Sequence, residues 1–213
     1  MFNRRFIFLF LLSLIVVCAI PLIHTWTFQA KASSTSSPAV SIAYRYYPIT
    51  GTTASELRSQ MAARGPRDHQ EGRSYDARVD WAVKWSYRHG RMGNQCRIRN
   101  ANTRVSVTYT MPKWNIPPGA ERSLIADWHR YLAALQLHED GHKNHGVEAG
   151  QDILNALSQL PAAHTCPALE ATAQATAQAV IKTYNQKDST YDLITRHGYT
   201  QGAIFPNTTT VSR

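Results

Sequence analysis

A chain of 213 residues that is 43% hydrophobic and 10% aromatic has the length of one domain plus a leader and enough apolar side chains for a core, which sets aside intrinsic disorder. The formal charge of +9 comes from basic residues scattered along the chain, with no block of like charges. That distribution excludes a nucleic-acid module and leaves solubility, or attraction to an anionic envelope polymer, as its consequence.

Residues 1–32 read as a secretory signal peptide. Arg4 and Arg5 precede an apolar run from Phe6 to Ile23, and Ala30-Lys31-Ala32 supplies a small-x-small end. Cleavage after Ala32 yields a secreted or periplasmic protein, and the loss of Arg4, Arg5 and Lys31 lowers the formal charge from +9 to about +6. The rival is an uncleaved anchor, because the apolar run approaches the ~20 residues that span a bilayer. The leader is then the chain's sole tie to a membrane. Cys18 is no lipidation site, since Val17 stands where a small residue belongs.

Residues 33–40 form a polar, flexible linker, and residues 41–213 a single domain. Ser41–Ile49 alternates, is rich in tyrosine and predicts a strand. Thr53–Ala63 predicts a helix, with Ser55 as cap and Gly65-Pro66 as its stop. Val79, Trp81, Val83, Trp85 and Tyr87 fall on one face of the clearest strand, with Asp80, Lys84 and Arg88 on the other. Cys96–Ile98 and Arg104–Tyr109 predict two more, split by a turn at Asn100–Asn102. Trp81, Trp85, Trp114 and Trp128 are read as core.

From Ala120 to Leu160 the apolar residues take helical spacing and Pro161 ends the run; Pro167–Lys187 predicts a second helix. Gly141 and Gly146 weaken the first helix and mark close packing or a site. Tyr191–Phe205 is too rich in aromatics for a tail and is expected to fold back on the domain. Cys96 and Cys166 remain after leader removal, and an even count in an exported chain predicts one disulfide.

The sharpest motif is His138-Glu139-Asp140-Gly141-His142. Histidines at i and i+4 share a helix face, so two imidazoles can meet one zinc, while the glutamate after the first ligand is placed to move protons between an activated water and a leaving amine. A catalytic zinc takes three protein ligands. His145 lies about 10.5 Å along the axis from His138, which forces a near-linear set, so it is placed beside the site. His197 is the candidate for the third ligand, with Gly198 permitting close backbone approach. Asp192 either orients a ligand histidine or is itself the ligand, and Tyr191 or Tyr199 is a candidate for oxyanion stabilisation. Glu148 and Glu170 are weaker ligand candidates, better read as solvated, and His164 reads as a loop residue.

Several of these pieces together resemble a known family. They are Tyr46-Tyr47-Pro48-Ile49-Thr50-Gly51, Gly65-Pro66, Trp81-Ala82-Val83-Lys84-Trp85, Cys96, Met111-Pro112-Lys113-Trp114, Trp128, His138–His142, Tyr191-Asp192, Thr195-x-His197-Gly198 and Gln201-Gly202-Ala203. Their order over Ile42–Phe205 resembles the bacterial domain-of-unknown-function family 922, described as predicted secreted zinc-dependent proteases. The resemblance implies a zincin-like metallopeptidase site and strengthens the case for His197.

The expected fold is α+β: a small, mainly antiparallel sheet packed on a long active-site helix, zincin-like. Arg104–Met111 is expected at the edge that receives an extended substrate. The expected activity is a zinc-dependent endopeptidase acting on peptide or protein, with one zinc per chain on His138, His142 and His197 and Glu139 as general base. Hydrolysis of a non-peptide amide fits the same site. The alternatives from other classes are a zinc-binding envelope protein without hydrolysis, and a basic envelope-binding module without metal.

Overall fold

The computed structural model describes residues 37–68 and 72–206. The expected leader and cleavage site, the first part of the expected linker and the last seven positions therefore lie outside the described residues. Within them the fold is α+β. A three-stranded sheet has the order β1 (Ala39–Ile49), β5 (Gln95–Trp114), β4 (Arg78–Met92). Strand β4 pairs antiparallel with β5, and β1 pairs parallel with it. The short strands β2 (Arg67–Asp68) and β3 (Arg73–Ser74) form a separate antiparallel pair.

Strand β5 is one continuous strand. The expected turn at Asn100–Asn102 is instead a shift of register, where Arg88 and His89 face Asn100 and Ile98. The chain reverses at Gly93, whose φ of +63° suits the hairpin turn. Continuity makes β5 central, so Arg104–Thr110 is paired on both sides and the expected edge at Arg104–Met111 is not one. The free edges belong to β1 and β4. Pro112 lies past the last β4 pair at Thr110, where β5 is paired with β1 alone.

Helix α1 (Ala54–Arg64) is capped by Thr53, two residues before the expected cap Ser55. The Thr53 hydroxyl accepts from the Glu56 N–H, and the Glu56 carboxylate accepts from the Thr53 N–H. Helix α2 (Arg122–Ser158) buries Leu124, Trp128, Tyr131 and Leu135, then His138, Glu139 and His142, then Ala149, Ile153 and Leu157. These positions make one stripe at helical spacing. The motif thus occupies the core-facing stripe of its helix. Trp114, Trp128, Tyr131 and Phe205 form an aromatic cluster at one end of the core. Phe205 is buried there, so the final segment does fold back.

Helix α3 (Cys166–Thr195) runs past the expected end at Lys187. It is tied at its start by the Cys96–Cys166 disulfide, with a Cα–Cα distance of 5.1 Å. No helix among the described residues is long and apolar enough to cross a membrane.

Candidate metal centre

Burying two histidines and a carboxylate on a core stripe is costly unless each polar atom is partnered. Helix α3 supplies the partners. Asp188, Tyr191, Asp192 and Thr195 share one of its faces and lie against α2. Close approach there depends on Gly141, where a Cβ would stand 2.3 Å from the Tyr191 hydroxyl.

Each histidine is held through Nδ1. His142 Nδ1 lies 2.9 Å from Asp188 Oδ1, and His138 Nδ1 lies 3.0 Å from Gln201 Oε1. Both oxygens are acceptors only, so both Nδ1 atoms donate, which leaves Nε2 of each ring as the nitrogen a metal would take in place of a proton. Asp188 is fixed in turn by His145 Nδ1 at 2.7 Å and Trp81 Nε1 at 2.6 Å. Gln201 Nε2 donates to the Tyr191 hydroxyl at 2.9 Å, and that hydroxyl donates to the His138 carbonyl at 3.3 Å. The Tyr191 ring stacks on His138 with centroids 5.0 Å apart.

The two Nε2 atoms then converge on Asp192 Oδ1, each 3.1 Å from it and 3.4 Å from one another. Ligand atoms of one tetrahedral zinc at about 2.0–2.1 Å stand about 3.3–3.4 Å apart. The residues present therefore fit such an ion. His138, His142 and Asp192 form one cluster able to hold a metal, and His142, His145 and Asp188 form a second that shares His142. Since Asp188 Oδ1 sits against the Nδ1 side of His142, its geometry is that of a support behind the first cluster.

Glu139 is 3% exposed, and its Oε2 has no hydrogen-bond partner. Burial raises its pKa to about 7, opposed by the charges of His142 and His138. Burial alone would lower the pKa of His142, but the carboxylates of Asp188 and Asp192 raise it to about 10. Burial acts to raise Asp192 too, yet hydrogen bonds from His138 and His142 hold it well below the usual carboxylate range.

A cleft of about 1080 Å³ opens over this group, between the Arg73–Val79 segment and helices α2 and α3. His197 lines it, with its Nδ1 3.3 Å from Asp192 Oδ1 and its ring 4.8 Å from that of Tyr75. It stands outside the converging trio. Arg196, His197 and Gly198 take φ of 51°, 52° and 82° in succession. This left-handed run, strained for the two non-glycine residues, ends α3 and brings Gln201 back over His138. Tyr199 is 53% exposed and does not line the cleft. His145 sits beside the site, as expected from its spacing. Glu148 and His164 are exposed, while Glu170 pairs with His89.

The family model for bacterial protein of unknown function DUF922 matches residues 44–198. The chain belongs to this family. The DUF922 match runs from the middle of β1 to Gly198, so it spans His138, His142 and Asp192. No curated protein and no solved structure matches the chain.

Asp188 and Gln201 carry weight that the sequence reading did not give them. The signal for Asp188 is its spacing. Positions 188, 191, 192 and 195 share one helical face once α3 is carried past Lys187.

Proposed function

We propose that this protein is an exported zinc-dependent endopeptidase with a zincin-like site. His138, His142 and Asp192 hold one zinc, and Glu139 is the general base. The observation that carries the reading is the convergence of two Nε2 atoms and one carboxylate oxygen beside a buried carboxylate with an unpartnered oxygen. A zinc ion in that position supplies Lewis-acid activation of a water and of the scissile carbonyl. Glu139 accepts the proton of the attacking water and returns it to the leaving amine nitrogen, a role suited to a carboxyl raised to about 7. Asp188 and Gln201 keep the histidine rings aimed. His197 orients Asp192 from the cleft side, in place of the ligand role expected of it. The start of the edge strand β4 borders the cleft, and an extended peptide docks along that strand by strand addition.

The test is metal content and peptide-library cleavage on mature, tag-free protein. Near one zinc per chain, lost in Asp192→Ala and kept in His197→Ala, supports this ligand set. Cleavage by wild type and none by Glu139→Gln supports the mechanism. Absence of zinc after reconstitution, or full activity in Glu139→Gln, overturns it.

A further inference from the structure

Away from the cleft, the disulfide has surroundings that a purely structural bridge does not require. Cys96 is fully buried, and His89 Nδ1 lies 3.5 Å from its sulfur. The other nitrogen of His89 is taken by Glu170, 2.7 Å away. Glu170, His89 and Cys96 thus form a carboxylate–imidazole–sulfur relay joining α3 to the β4–β5 hairpin. Cys166 has a different environment. It is partly exposed and is the first residue of a 30-residue helix, just after the Thr165 cap. The positive end of the helix dipole favours a thiolate at that position.

We infer that Cys96–Cys166 is an exchangeable disulfide, attacked at Cys166 by a small thiol, with Cys96 as the leaving sulfur held by the His89–Glu170 pair. This inference is independent of the metal reading. In the first step an external thiolate forms a bond to the Cys166 sulfur, the Cys96–Cys166 bond breaks, and its electron pair leaves on Cys96. The imidazolium form of His89, which carries a proton on each nitrogen, donates from Nε2 to Glu170 and from Nδ1 to the departing thiolate. In the second step another external thiolate attacks the mixed disulfide. It releases a small-molecule disulfide and leaves Cys166 as a thiolate at the helix start. Two thiols are oxidised and one protein disulfide is reduced. Both protein sulfurs are stabilised in the reduced state, by different groups, and this favours exchange over the inertness of a structural bridge.

The experiment exposes native mature protein to millimolar glutathione, quenches with an alkylating agent, and maps adducts by peptide mass spectrometry. The expected result is a glutathione adduct on Cys166, formed without denaturant. The rate should fall about tenfold in His89→Ala, with a smaller fall in Glu170→Gln. Thermal melts identify any variant that has lost its fold, and the wild-type adduct map stands without the variants. An adduct on Cys96, exchange only at denaturant concentrations that unfold the chain, or wild-type rates in both folded variants overturns the proposal.

Discussion

Glu139 sits on a core-facing helix position where an alanine or leucine would cost nothing in desolvation. Its folded pKa of about 7 lies above the unfolded value of about 4.3. Between the two, the folded state keeps a proton that the unfolded chain has released, so metal-free protein loses stability as pH rises through that window. Glutamine at 139 does not titrate. With chelator present, Glu139→Gln should melt above wild type at pH 8, and the gain should vanish near pH 4. Calorimetry checks this, and an equal or lower melting point at pH 8 contradicts it. Asp188 touches no cleft substrate in the proposed scheme, so its removal separates support from chemistry. Asp188→Ala should weaken zinc binding by about 10–100-fold, measured by chelator competition. Gly141→Ala puts a Cβ against the Tyr191 hydroxyl and should cost about 1–3 kcal/mol of stability in denaturant titration.

At the scale of elements, α2 and α3 divide the work: α2 carries two of the converging atoms and the base, while α3 brings the third atom and the support for His142. The α2 half was legible in the sequence, because a five-residue motif on an apolar stripe fixes both spacing and face. The α3 half was less so. Its last two turns contain Asp188, Ser189, Thr190 and Asp192, residues that favour turns when read alone, and only packing against α2 keeps them helical. The edge strand was misplaced for a related reason. Asn100 and Asn102 look like a turn, yet cross-strand pairing with β4 holds them extended, which moves β5 to the centre and leaves β4 at the cleft. Ser55 lost the cap to Thr53 because the Glu three residues after Thr53 completes the reciprocal pair. Thr53→Ala should cost about 1 kcal/mol in thermal or denaturant melts, with zinc binding unchanged.

Over the whole molecule the ionisable groups of the centre set opposing pH limits. Asp188 and Asp192 are held below their ordinary range, so the stability they contribute is present above about pH 4 and lost as pH falls through their folded values. His142 is raised to about 10, so its contribution is complete below about 6.5 and is lost as pH rises toward 10. Together with Glu139 these place the metal-free optimum on the mildly acidic side. Zinc displaces the protons involved, and the optimum should move upward by pH-scanned calorimetry when it is added. An optimum that does not move on adding zinc counts against the site.

The two cross-links of this chain also interleave. The disulfide joins 96 to 166, and the proposed metal joins 138 and 142, inside that loop, to 192, outside it. If the molecule is stretched from its ends, tension passes from Cys96 directly to Cys166 and skips everything between, including both histidines. The coordination bonds then have one end on the taut path and the other on a slack loop, and they feel no pull. Once the disulfide is reduced, the taut path runs through His138 and His142 and the ion must resist the stretch. Optical-tweezer traces of the oxidised protein should therefore be blind to chelator, while those of the reduced protein should gain a rupture step that chelator removes.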